Sequence, residues 1–270
     1  MIKVAIAGSD NASRATDDML ECLKSFTYDG YIALLEYIQK NYEILSFDQI
    51  NANKTPYIIL RHDVDASLSD ALKMAELESE MNITSTYFFL FSCRYYNLLE
   101  KDAFQTITKI SDLGHEIGLH YDVSVYDLYP IKTNETLENE IMLLQGLLNK
   151  QVKSISMHNP SITAKDDPFK SLPNYINAYD YNLFDLYVSE SCRVWHINDL
   201  KKLLSYKYDK IQLVIHPLLW REKIVDRKDA LDEFFNVLSF EDDKNKQNWI
   251  DVWNNHKKVI NYDKEIKQKG

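Results

Sequence analysis

The stretch "YIILRHDVD", residues 57–65, runs four apolar or aromatic residues into Arg61, His62 and two aspartates, Asp63 and Asp65, spaced i and i+2. Other apolar runs end in the same way. "HEIGL" leads into His120 and Asp122, "VKSISM" into His158 and Asn159, and "IQLVI" into His216 and Pro217, so that four of the seven histidines stand at the end of a strand-like run. Carboxylate oxygens and neutral imidazole nitrogens are ligands for Zn2+ or a similar divalent ion, and a catalytic ion keeps a position open for water. A second carboxylate near such an ion can take a proton from that water, while a histidine on the far side protonates a leaving group. These residue types are the ingredients of metal-assisted hydrolysis.

Groups so far apart in sequence meet only if their strands open on one face. Strands and helices do alternate along the chain, which is the pattern of β/α units and a largely parallel sheet. Strands are expected at "YIIL", "STYFFLF", "HEIGL", "VKSISM", "NLFDLYV" and "IQLVI", and helices at "DGYIALLEYIQKNY", "SLSDALKMAELESEM", "KDAFQTITKISDL", "NETLENEIMLLQGLLNK" and "INDLKKLLSY". Two further helices, "RKDALDEFFNVLSF" and "KQNWIDVWNNHKKVI", would close the chain. A parallel barrel assembles its catalytic groups from the C-terminal ends of several strands. The expected fold class is therefore α/β, with one barrel domain over residues 25–270. Residues 1–24 are expected to form an N-terminal arm or appended strand; "KVAIAG" reads as a short strand, but only Gly8 follows where a nucleotide-binding loop would need Gly-x-Gly-x-x-Gly.

Composition narrows the partners. A net charge of −10 over 270 residues disfavours a protein that tracks nucleic-acid phosphates with clustered lysines and arginines. No run approaches the length of a membrane span and no signal-peptide core precedes the first strand, so the expected compartment is the cytoplasm. Three widely spaced cysteines, Cys22, Cys93 and Cys192, fit reduced thiols. The oligomeric state is not encoded in any of these features.

Over roughly residues 55–220 the chain resembles the polysaccharide deacetylase family, the NodB-homology fold of carbohydrate esterase family four. "ILRHDVD" is similar to the family's Thr-Phe-Asp-Asp-Gly motif in an Asp-x-Asp form, and "STYFFL" to its Ala-Thr-Phe-Phe strand. "LGHEIGLHYDVS" resembles Gly-His-Glu-Ile-Gly-x-His, and "LVIHPLLW" the late Leu-Leu-His motif. The resemblance implies a distorted (β/α) barrel and removal of an N-acetyl group from an amino sugar or a sugar-containing biosynthetic intermediate, with a divalent metal, Zn2+ first. It implies Asp63 as general base, Asp65 and His120 as metal ligands, and His216 as the acid that protonates the departing amine. His115 matches a family position outside the metal set.

Two departures from the family pattern stand out. The second metal histidine should fall four residues after His120, where this chain has Ser124, a poor ligand for Zn2+. His158 is the expected replacement, with Asp122 the weaker one. The arginine expected near the base at the end of the next strand is replaced by "SMHNPS", so Arg61 is either its substitute, paired with a carboxylate, or a charge on the rim. Candidate substrate contacts are Arg61, Asn159, Tyr121 and Trp220. The 18 tyrosines, Tyr87, Tyr95, Tyr96, Tyr121, Tyr126 and Tyr129 among them, suit either sugar stacking or strand packing. The alternatives are a carbohydrate-binding member of the same fold without turnover, or another amide hydrolase such as a deformylase.

Overall fold

A computed structural model describes residues 17–50, 55–129, 131–159, 168–169, 172–226, 228–236 and 247. The chain divides into two units, residues 1–225 and 226–270. In the second, residues 228–236 are helical. Among its described residues the first holds eight strands: β1 (Glu43–Leu45), β2 (Tyr57–Val64), β3 (Thr86–Leu90), β4 (Glu116–Tyr121), β5 (Ser154–Met157), β6 (Ile176–Asn177), β7 (Leu186–Ser189) and β8 (Lys210–Ile215). Helices α1 (Tyr28–Ile38), α2 (Leu68–Glu80), α3 (Lys101–Asp112), α4 (Val123–Tyr126), α5 (Thr133–Leu148) and α6 (Ile197–Leu204) alternate with them. No helix among the described residues is long and apolar enough to cross a membrane.

Every strand pairing is parallel, in the order β6-β5-β4-β3-β2-β8-β7, with β1 also beside β2. Strand β2 is shared lengthwise: β1 pairs with Tyr57–Ile59 and β3 with Arg61–Val64. The sheet is curled, because Arg61 on β2 donates from Nη2 to Ser156 Oγ on β5 at 2.5 Å, although β3 and β4 lie between those strands in the sheet. Gln212 on β8 likewise reaches the carbonyl of Ala178, just past β6, at 3.1 Å. This is the distorted β/α barrel expected from the alternation of elements.

Alternation along β2 sorts its residues between the two faces. Ile58 and Leu60 join one large cluster with α1 and α6, and Val64 joins another with α3 and α5; these are the helix-facing positions. Tyr57 and Ile59 join Leu45, Phe47, Phe88 and Ala178 inside the curl. Arg61, Asp63 and Asp65 continue that inner row, while His62 falls on the helix side. Gly118 on β4 is dictated by this filling. A Cβ there would stand 2.4 Å from the ring of Phe88, its partner in register on β3.

Residues 17–23 are helical, in place of an arm or strand reaching residue 24, and Met19, Leu20 and Leu23 are buried in the core because their spacing puts them on one helical face. Residues 226–270 are grouped as the second unit. "KVAIAG" and most of "KQNWIDVWNNHKKVI" lie outside the described residues. β1 and β6, three and two residues long, carry too little pattern to be expected from sequence.

Candidate active site

The inner row of β2 ends at the C-terminal mouth of the curl, and the ends of β4, β5 and β8 meet it there. Asp65, His120 and His158 bring one ligand atom each to within 4.8 Å of one another. Asp65 Oδ1 lies 3.3 Å from His120 Nε2 and 3.2 Å from His158 Nδ1, and the two imidazole nitrogens are 3.2 Å apart. His120 Nδ1 is 2.9 Å from the carbonyl of Ser156, which takes its N–H and leaves the Nε2 lone pair aimed at Asp65. Asp65 Oδ1 is buried without a hydrogen-bond partner among the described residues. A carboxylate oxygen and two imidazole nitrogens converging on one point suit a divalent cation of the Zn2+ type.

Asp63 lies beside this cluster, its Oδ2 3.8 Å from His120 Nε2. Both its oxygens are held by Arg61, Nε donating to Oδ1 at 2.8 Å and Nη2 to Oδ2 at 2.7 Å. Burial alone would raise the Asp63 carboxyl, but the guanidinium beside it, and then His120, hold it below the usual carboxylate range. Arg61 is completely buried, between the rings of Phe88 and Tyr179, and Nη2 also donates to Tyr179 Oη at 3.0 Å.

His216 also borders the cluster, its Nε2 3.9 Å from Asp65 Oδ2. Its Nδ1 is 2.8 Å from Glu190 Oε2, and its backbone N–H donates to Glu190 Oε1. Glu190 follows β7, is completely buried, and also accepts from Trp220 Nε1 at 3.4 Å. Burial would lower the imidazole, but the Glu190 carboxylate outweighs it and pushes His216 up to about 10. For His158, too, burial opposes the charge and the Asp65 carboxylate reverses the balance, so its pKa is raised.

Ser124 has no part in this centre. Its Oγ and N–H both donate to Asp122 Oδ1, at 2.6 and 3.0 Å, and Asp122 thereby caps α4.

Three of the residues expected as substrate contacts are buried. Tyr121 is completely buried against Phe169 on the helix side, because it follows the inward His120 and the strand turns its side chain over. Trp220 is completely buried among Phe26, Tyr31 and Trp195. Arg61 is no rim charge, since its guanidinium is committed to Asp63, Ser156 and Tyr179. Asn159 remains at the exposed edge, its amide nitrogen 2.8 Å from His158 Nε2. Among the tyrosines expected near the mouth, Tyr87 and Tyr126 are buried, whereas Tyr95 and Tyr129 are exposed.

Sequence reasoning missed Glu190, Ser156 and Tyr179. A signal existed for Glu190, which follows the run "LYVS" just as the histidines follow theirs. Cys22 and Cys93 carry free thiols.

No protein-family model matches the sequence, and no curated protein is significantly similar to it. Among solved structures, the chain is similar to a CE4 family pseudoenzyme from Bacillus anthracis, at 15% identity and a TM-score of 0.40, over 71% of this chain and 63% of that one. It is also similar to a peptidoglycan deacetylase from Bacillus subtilis, at 15% identity and a TM-score of 0.44, over 71% and 87% of the two chains. A chitin deacetylase from the fungal pathogen Colletotrichum lindemuthianum is similar at 10% identity and a TM-score of 0.41, over 73% and 86%.

Proposed function

We propose that this protein is a metal-dependent amide hydrolase that removes an N-acetyl group from an amino sugar. The observation that carries the proposal is what borders the Asp65–His120–His158 cluster. An arginine-held carboxylate, Asp63, has Oδ2 3.8 Å from His120 Nε2, and a glutamate-held imidazole, His216, has Nε2 3.9 Å from Asp65 Oδ2. The motif resemblance over residues 55–220 supports the choice of a sugar N-acetyl group among amides.

Asp65, His120 and His158 would hold the ion, which supplies Lewis-acid polarisation of the acyl carbonyl and a lowered pKa of water at neutral pH. Asp63 takes a proton from the attacking water, with Arg61 fixing which way its carboxylate faces. His216 enters as the imidazolium, its Nδ1–H held by Glu190, and gives the Nε2 proton to the nitrogen of the breaking C–N bond. Water adds across the amide, and the products are the free amine and acetate.

The test is metal content together with turnover. The purified protein should bind one equivalent of Zn2+ or Co2+ and release acetate from N-acetylglucosamine oligomers. Asp63→Asn should keep the metal and lose turnover, and Asp65→Asn should lose both. Absence of metal binding on addition of Zn2+ would overturn the hydrolase assignment and leave a carbohydrate-binding member without turnover.

A further inference from the structure

Behind the site, on the helix-facing side of β2, lies a second set of polar groups that the proposed chemistry does not use. Glu78, in the last turn of α2, is completely buried. Its Oε1 lies 2.7 Å from His62 Nε2 and accepts from Tyr31 Oη on α1 at 2.5 Å. Its Oε2 accepts from Ser85 Oγ at 2.5 Å and from Tyr87 Oη on β3 at 3.2 Å. His115, just before β4, stands 3.7 Å from the same oxygen, with its Nδ1 3.2 Å from the Ser85 N–H and its Nε2 3.0 Å from the Ala75 carbonyl. Tyr31, His62, Ser85 and Tyr87 are themselves completely buried, and the His62 ring stacks on Tyr87 at 4.3 Å.

One carboxylate thus gathers bonds from α1, β2, β3 and the segment that opens β3. Burying so many polar groups brings little net stability, since well-packed apolar side chains of the same volume commonly do as well or better. What such a network supplies is a fixed arrangement. The segments it fixes are those that lead into the mouth. His62 precedes Asp63 by one residue, so holding its imidazole on the outer face sets the strand conformation that turns Asp63 and Asp65 inward. Tyr87 precedes Phe88, which pairs in register with Asp63. His115 stands at the start of the strand that ends in His120.

We infer that Glu78 is a positioning residue: acting through His62, it holds the end of β2 so that Asp65 meets His120 and His158. The inference rests on reading those three residues as a metal centre. The test compares wild type, Glu78→Gln and Glu78→Leu in the full chain. Co2+ affinity is read from the visible absorption of the bound ion, and the melting temperature from the metal-free protein. Glu78→Gln keeps the shape and one acceptor oxygen, so it serves even if Glu78→Leu does not fold. The expected result is Co2+ binding weakened by about tenfold or more in the folded variants, as for loss of an outer partner of a metal ligand. Metal-free melting should also fall, because Tyr31, His62, Ser85 and Tyr87 lose a buried acceptor, so the deciding readout is Co2+ affinity measured well below the melting range. A network that only stabilises the fold would lower the melting temperature and leave Co2+ affinity of the folded variants unchanged, and that outcome overturns the inference. Failure of the wild type itself to bind Co2+ overturns the metal centre and the inference with it.

Discussion

His216 Nδ1 lies 2.8 Å from Glu190 Oε2, with both side chains at the C-terminal ends of neighbouring strands. A buried carboxylate on one ring nitrogen fixes the tautomer, turns the other nitrogen to the mouth and favours the imidazolium. Glu190→Gln keeps an acceptor for the His216 N–H and the Trp220 indole but removes the charge. It should lower kcat by about 10²- to 10⁴-fold, with metal affinity unchanged because Glu190 is not among the clustered ligands. Turnover equal to wild type in a folded Glu190→Gln protein would rule out His216 as the acid.

Arg61 and Asp63 form a bidentate pair with almost no solvent contact. Removing one partner of such a pair leaves an uncompensated buried charge. Arg61→Met should therefore destabilise the fold by about 3–5 kcal/mol, read as a drop in urea midpoint. Arg61→Lys should fall between, because an ammonium cannot make both bonds of the fork. A double variant, Arg61→Met with Asp63→Leu, should recover much of the loss; if it does not, the pair contributes through packing rather than charge.

The strand ends were legible in the sequence because β structure needs only short apolar runs to announce itself, and a polar residue closing each run marks the mouth of a parallel barrel. Adjacency in sequence misled in two places. Tyr121 follows His120 and Trp220 lies near His216, yet the first is turned outward by strand alternation and the second is folded into the α1 core. Glu78 was illegible for a different reason. A glutamate in the helix "SLSDALKMAELESEM" reads as solvated, and only the packing of α2 onto β2 and β3 shows that it faces inward. Glu190 precedes a short 3-10 turn rather than a recognisable motif, so its partnership with a residue 26 positions on could be seen only in three dimensions.

The serine at position 124, where the family pattern has a histidine, loses its force once its N–H and hydroxyl are seen to donate to Asp122, the N-cap of α4. Ser124→Ala should leave Co2+ and Zn2+ affinity unchanged. His158→Ala should weaken it beyond the roughly 10- to 100-fold that follows loss of an outer partner. Isothermal titration of both variants separates the two positions. Equal effects from the two substitutions would mean that the α4 turn, rather than the His158 imidazole, shapes the centre.

Glu140 on α5 gives a pH dependence that belongs to the fold rather than to the chemistry. Burial, with Asp122 nearby, pushes its carboxyl up from 4.5 to about 7, although the hydrogen bond from Tyr126 opposes the shift. In the unfolded chain this group ionises near its ordinary value, so between the two values the folded state binds more protons than the unfolded one. Stability from this group therefore falls as pH rises from about 4.5 to about 7 and is level above that. Glu140→Gln removes the titration while keeping an acceptor for the Tyr126 hydroxyl. Its melting temperature should exceed that of wild type at about pH 8 by more than at about pH 5. A difference between the two proteins that stays constant over this range would show that Glu140 titrates as an ordinary surface carboxylate.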